Sequence, residues 1–182
     1  KRAPLIFTSS TSVYGITAKE EGLIGIDHPL IATNNYSESK ILCEDVIRRH
    51  GVDYTILRVS GISAVEVVEV PEEASFRADQ RVEFVERTDV AKALVSSLES
   101  DEARGRIFNT AGGRTWRMRG REYMEGIYGA MGVSVEVKYS KEYTWLDWYQ
   151  TVHSQRILKY QETSFHAFLR KLRKMAEELG II

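Results

Sequence analysis

Two runs decide how the chain reads: Phe7-Thr8-Ser9-Ser10-Thr11-Ser12-Val13-Tyr14-Gly15, and Asn34-Asn35-Tyr36-Ser37-Glu38-Ser39-Lys40. The first continues an apolar stretch, Pro4 to Phe7, into small hydroxyl residues. That pattern predicts a strand over 4–9, buried on both faces as in a parallel sheet, whose end carries Ser10. The second puts Tyr36 and Lys40 four residues apart, hence on one face of a helix predicted over 35–50 and ended by Gly51. An ammonium beside a phenol stabilises the phenolate, so the pair suits proton transfer. A serine hydroxyl at the same point can hold the oxygen being oxidised or reduced.

The rest of the chain extends the alternation of strands and helices. Residues 53–59 read as a second buried strand, which completes a βαβ unit. A loop over 15–33 separates the first strand from the helix, long enough to suggest function. Val65 to Val70 is a possible strand, 81–86 alternates as a strand, and Thr88 or Asp89 is expected to cap a helix running to Glu99. In that helix Val90, Ala91, Leu94, Val95 and Leu98 are expected to face inward. A strand over 105–110 leads to the turn Ala111-Gly112-Gly113. A helix over 120–131, a strand over 133–139, an irregular aromatic stretch around Trp145 and a helix over 164–179 complete the series. In the helix over 35–50, Ile41, Leu42, Val46 and Ile47 are expected on one side and Glu44, Asp45, Arg48 and Arg49 on the other. The lone Cys43 is expected to be a small packing residue.

The 182 residues carry 43% hydrophobic and 28% charged side chains, as in ordinary globular chains, and a formal net charge of −1. That balance gives no footprint for nucleic acid or an anionic membrane. No apolar run reaches the roughly 20 residues of a membrane helix, and no signal peptide is visible. A single cysteine excludes an internal disulfide and points to the cytoplasm. His28, His50, His153 and His166 show no ligand spacing, so no metal is expected.

Tyr36-x-x-x-Lys40, 26 residues after Ser10, resembles the short-chain dehydrogenase/reductase superfamily. The run Ser9 to Gly15 makes the chain look like the extended branch, the NAD-dependent nucleotide-sugar epimerases and dehydratases. The likeness continues through Leu57-Arg58, Arg87-Thr88-Asp89-Val90-Ala91, Gly105 to Gly113 and the segment from Trp145 to Tyr160. The resemblance implies an α/β fold: the C-terminal part of a Rossmann-type doubly wound parallel sheet, with a small α+β substrate-binding subdomain. Residues 1–61 would be a partial Rossmann core carrying the site. Residues 62–182 would be mostly the subdomain, with core elements returning at about 81–113.

By the same resemblance Tyr36 is the general acid/base, Lys40 holds the nicotinamide ribose, Ser10 holds the sugar oxygen and Ser9 also touches the cofactor. Ser12 and Tyr14 would line the sugar pocket, with packing an equal reading for Tyr14, and Trp116 and Arg117 would contact a nucleotide diphosphate. The cofactor implied is NAD, with NADP left open. The partner implied is a nucleotide sugar, with a homodimer or other self-association. Dehydratases of the family carry an Asp-Glu pair directly after the catalytic hydroxyl residue; here Thr11 and Ser12 stand there, which favours epimerisation, as in a 4-epimerase, or simple oxidoreduction over elimination. Trp145 and Trp148 are expected in a core or domain interface.

Gly126-Ile-Tyr-Gly129-Ala-Met-Gly132 matches the G-x-x-G-x-x-G spacing of a dinucleotide loop. Such a loop must follow a strand and open a helix so that amides face the pyrophosphate. Here the glycines fall inside and at the end of a predicted helix, and a packing role is expected instead. The family's own loop would precede residue 1, so an N-terminal part is expected to be missing and the 182 residues alone to be inactive. The alternatives are an inactive remnant that serves as a binding or self-association module, and a reductase or dehydratase of the same family.

Overall fold

The computed structural model describes residues 4–66, 72–134 and 136–182. A parallel sheet of β1 (Leu5–Ser10), β2 (Tyr54–Val59) and β6 (Arg106–Thr110) forms its first layer, in the order β1-β2-β6. Helix α1 (Asn35–Arg49) links β1 to β2. Register places Ser9, Arg58 and Asn109 side by side across the three strands. Side chains alternate faces along a strand, so this row shares one face, the one that α1 covers through Glu44. The opposite face presents Leu57, Val59 and Phe108 to Val90 and Ala93 of α2 (Arg87–Glu99) and Leu158 of α4 (Val152–Leu158). Helices therefore cover both faces, as a doubly wound sheet requires.

The second layer grows from β3 (Gly61–Ser63), directly after β2. It pairs parallel with β5 (Arg81–Glu86), which pairs antiparallel with β7 (Arg117–Arg119). Two short strands, β4 (Glu73–Ala74) and β8 (Lys138–Tyr139), pair parallel beside it. Helices α3 (Gly120–Ala130) and α5 (Phe165–Glu178) close this part around Trp116, Phe168 and Leu172. A Cβ on Gly126 would lie 2.9 Å from the Phe165 ring. The glycine is thus a helix-packing residue, and Gly132, at φ +65°, follows the helix as its turn. The G-x-x-G-x-x-G spacing is accordingly that of a helix face and its end.

Several expectations are corrected. The face of α1 turned inward carries Ser37, partly buried Ile41 and buried Glu44, while Leu42 and Val46 are exposed at 59% and 53%. The reason is Arg58, a buried cation that needs a carboxylate from the helix above it. Cys43 is exposed rather than packed. In α2, Val90 and Ala93 point inward, whereas Ala91, Val95 and Leu98 are exposed. Glu86 caps α2, accepting from Thr88 N at 2.7 Å and Asp89 N at 3.3 Å. Asp89 instead accepts from Glu162 N and Thr163 N, tying down the approach to α5. Of the strand expected over 65–70, residues 67–70 lie outside the described residues, and Val65 and Glu66 are not in a strand. The strand expected over 133–139 is reduced to β8, residue 135 lying outside the described residues. The stretch around Trp145 is irregular as expected, and helix α4, which follows it, was not expected.

Candidate active site

Helix α1 begins where its capping box allows. Asn34 Oδ1 accepts from Ser37 N at 2.9 Å, and Ser37 Oγ accepts from Asn34 N at 3.2 Å. Both exchanges satisfy amides that the first turn leaves open, so Tyr36 sits in that turn with 55% of its surface exposed. Lys40 follows one turn later. Its Nζ lies 5.5 Å from the Tyr36 ring centre and 4.9 Å from that of Phe7, and donates to the Thr8 carbonyl at 2.8 Å. The ammonium is thereby pinned near the carboxyl end of β1, beside the phenol.

Ser10 ends β1 and caps the 3-10 turn Thr11–Tyr14. Its Oγ accepts from Ser12 N at 3.1 Å, and its hydroxyl proton has no acceptor among the described residues. Ser12 Oγ is buried with no partner among the described residues, as are Ser60 Oγ and Thr110 Oγ1 at the ends of β2 and β6. Unpaired buried hydroxyls therefore gather at the carboxyl ends of all three parallel strands, the end at which open α/β sheets bind ligands. Gly15, at φ +73°, ends the turn; a Cβ there would sit 2.9 Å from the Ile31 carbonyl. That close approach brings the loop's return leg against the turn, where Ile31 N donates to Val13 O at 2.9 Å.

Beneath this surface lies a buried polar network that sequence reasoning missed. Arg58 Nη2 donates to Glu44 Oε2 at 2.7 Å, and Arg58 Nε contacts both carboxylate oxygens at 3.1 and 3.2 Å. Ser9 Oγ donates to Glu44 Oε1 at 2.5 Å. Arg58 Nη1 donates to the Tyr14 hydroxyl at 3.0 Å and to the Ile26 carbonyl at 2.9 Å. The Tyr14 hydroxyl in turn donates to Asn109 Oδ1 at 2.5 Å. Burial pushes the Tyr14 phenol up, with Arg58 opposing it. Burial also works against the Arg58 charge, but Glu44 and Tyr14 together outweigh this and raise it. The sequence signal was present: Glu44 is one further turn along the line from Tyr36 through Lys40.

The structure thus brings Ser10, Ser12, Tyr36 and Lys40 to one end of the sheet and removes the other candidates from it. Ser9 is committed to Glu44 and 2% exposed, which leaves it no hydroxyl for a cofactor. Tyr14 is a buried member of the network rather than an open pocket wall. Trp116 is fully buried in the α3–α5 core, its indole donating to the Thr163 carbonyl at 2.7 Å. Arg117 is held by Glu83 at 2.9 Å and by the Tyr149 carbonyl at 2.6 Å. Trp145 packs against the core around Leu146, while Trp148 donates to Met118 O and lies under the guanidinium groups of Arg81 and Arg119. Among the described residues no group of three or more His, Cys, Asp or Glu side chains is placed to hold a metal ion, and no helix is long and apolar enough to cross a membrane.

A short-chain dehydrogenase/reductase superfamily protein from Agrobacterium tumefaciens, solved with bound NAD, superposes with a TM-score of 0.78 at 15% identity, over 97% of this chain and 67% of its own. The fold is that of the short-chain dehydrogenase/reductase proteins. Two more solved structures share this short-chain dehydrogenase/reductase fold. UDP-N-acetylglucosamine 4-epimerase from Methanobrevibacter ruminantium matches at a TM-score of 0.74 and 20% identity, over 97% of this chain and 63% of its own. dTDP-glucose 4,6-dehydratase from Bacillus anthracis, in complex with NAD, matches at 0.79 and 15%, over 96% and 62%. The chain spans about two thirds or less of the length of these proteins. No family model and no curated protein matches it.

Proposed function

We propose that these residues are the later part of an NAD-dependent enzyme that oxidises and re-reduces a sugar carbon on a nucleotide sugar, in a 4-epimerase-like reaction. The observation that carries this reading is the pinned Lys40 ammonium beside an exposed Tyr36, at the end of the strand that carries Ser10. In this reading residues 1–61 form a partial Rossmann core, completed by elements within 81–113, and most of 62–182 is the substrate-binding subdomain.

The residues at the strand ends fit a nicotinamide group. Tyr36 is open, and Lys40 spends one donor on Thr8 O and has two left for a ribose diol. Ser9 does not fit and has no part in holding it. NAD, when bound, would supply the hydride acceptor and donor for the sugar carbon. As the hydride leaves, Tyr36 takes the proton from the carbinol oxygen, and it gives the proton back when the carbon is reduced. Ser10 donates its free O–H to the same oxygen, its own oxygen already fixed by Ser12 N. In this reading Ser12 also lines the sugar pocket, its buried Oγ having no partner among the described residues. With Thr11 and Ser12 after Ser10, the site has no Asp-Glu pair there for elimination, which supports epimerisation over dehydration. The test is turnover of a nucleotide-sugar panel by the protein carrying a dinucleotide loop ahead of residue 1. Conversion of a sugar into its C4 epimer supports the reading; loss of water or net oxidation alone would replace it.

The 182 residues alone are expected to bind NAD no better than millimolar, because pyrophosphate contacts supply much of the orientation that hydride transfer needs. Micromolar binding by calorimetry would overturn this. A second reading, a self-associating module, draws on the exposed Leu5 at the sheet edge and on Leu42 and Val46 of α1. Light scattering decides it, since a clean monomer speaks against it.

A further inference from the structure

We infer that Glu44 is a positioning residue, which together with Arg58 sets the place of Tyr36 and Lys40 relative to Ser10. The inference rests on the proposed reaction. Tyr36, Lys40 and Glu44 lie at successive turns of α1, so whatever fixes Glu44 fixes the helix's rotation and its height above the sheet. Four contacts fix it. Three come from Arg58 of β2, and one from Ser9, the residue directly before Ser10 on β1. The same carboxylate therefore grips the helix bearing the phenol and the strand bearing the serine.

Arg58 is held from every side in turn, by Glu44, the Tyr14 hydroxyl and the Ile26 carbonyl, with its guanidinium 5.0 Å from the Tyr14 ring centre. Tyr14 closes the 3-10 turn that Ser10 caps. Asn109 of β6 accepts from Tyr14 and donates to Ile24 O at 2.9 Å, which extends the frame to the third strand and the loop. The side chains of Glu44 and Arg58 are 1% and 3% exposed. A buried ion pair is weak evidence for stability, because apolar residues of similar volume often serve as well. Two features argue for geometry instead: the fork-shaped guanidinium fixes direction as well as distance, and both neighbours of the pair lead to site residues.

The test uses three variants of the full protein: Glu44→Gln, Arg58→Lys and the double variant Glu44→Leu/Arg58→Met. The double variant removes both charges while keeping volume, so it separates folding from positioning. The expected result is a melting temperature close to that of the unaltered protein, KM within about threefold, and kcat lowered about 30- to 100-fold, the scale of an ångström-sized misplacement. Arg58→Lys, which keeps the charge but loses the fork, and Glu44→Gln, which keeps the shape but loses the charge, are expected to fall between the unaltered protein and the double variant. A folded double variant with unaltered kcat would overturn the inference. Hydrogen exchange gives a readout independent of the reaction. Amides of residues 37–41 are expected to exchange at least tenfold faster in the double variant, with those of α3 and α5 unchanged. If the unaltered protein turns over no nucleotide sugar, the proposed reaction fails while exchange still decides the positioning role: unchanged protection at 37–41 overturns it.

Discussion

Lys40 Nζ donates to the carbonyl of Thr8, two residues before Ser10 on the same strand. The bond makes the ammonium a fixed charge rather than a mobile surface lysine, and it sets the side chain against the Phe7 and Tyr36 rings. Lys40→Met keeps the length of the side chain and removes the charge. The full protein carrying it is expected to lose about 100-fold or more in turnover of its nucleotide sugar, within the range typical of a general acid/base system. Because no carboxylate depends on Lys40 among the described residues, thermal unfolding is expected to shift by no more than about 2–4 °C. A variant with near-normal kcat would remove Lys40 from the proposed proton-transfer group.

Tyr36→Phe removes only the hydroxyl, which has no partner among the described residues. Folding is expected to be unaffected, and turnover to fall about 100-fold or more. Binding of the nucleotide sugar, measured by calorimetry on the full protein, is expected to persist. Loss of binding together with turnover would assign the hydroxyl to substrate recognition instead of proton transfer.

Two of the three glycines of α3, Gly126 and Gly129, separate packing from cofactor binding. A Cβ on Gly126 meets Phe165 at 2.9 Å and Leu169 at 3.2 Å, whereas one on Gly129 meets nothing within 4 Å. Gly126→Ala is expected to destabilise by about 1 kcal/mol or more through overpacking. Gly129→Ala, in an open helix interior, is expected to stabilise by about 0.5–1 kcal/mol. Urea midpoints check both. Opposite signs fit a helix face; a loop around pyrophosphate would instead show loss of NAD binding in both variants of the full protein.

These comparisons also show what was legible in the sequence. Strands β1, β2, β5 and β6 and helices α1, α2, α3 and α5 follow from apolar runs and helical spacing, because burial of one stripe or one row imposes that pattern. The facing of α1 was not legible from hydrophobicity. Its inward face carries Glu44, paired with a buried arginine contributed from another strand; the spacing Tyr36, Lys40, Glu44 places it on the site's side of the helix, but nothing local announces the arginine. Trp116 and Arg117 were misplaced for a related reason. An aromatic or a cation after a glycine turn suits a ligand equally well, and only the tertiary positions of Thr163 and Glu83 show where their polar atoms go. The short strands β3, β4, β7 and β8 are two or three residues long and set by their partners.

Glu83 offers a pH test of the junction between the two layers. It is fully buried on β5, with Arg117 Nε, Gly113 N and Tyr149 N all donating to it at 2.9 Å. Burial pushes its carboxyl up to about 7 from 4.5, against the pull of Arg117 and the two amides. The folded state therefore keeps a proton that the unfolded state has already released between about pH 4.5 and 7. Protons bound preferentially by the folded state make stability fall as pH rises through that window. At about 1.4 kcal/mol per pH unit, the loss amounts to a few kcal/mol by pH 8. Glu83→Gln cannot ionise, so this contribution disappears. Urea unfolding at pH 5 and pH 8 is expected to show the unaltered chain losing more stability than Glu83→Gln over that interval. Parallel behaviour of the two would mean that the three donors hold Glu83 ionised throughout, and that the junction is a permanent ion pair with Arg117.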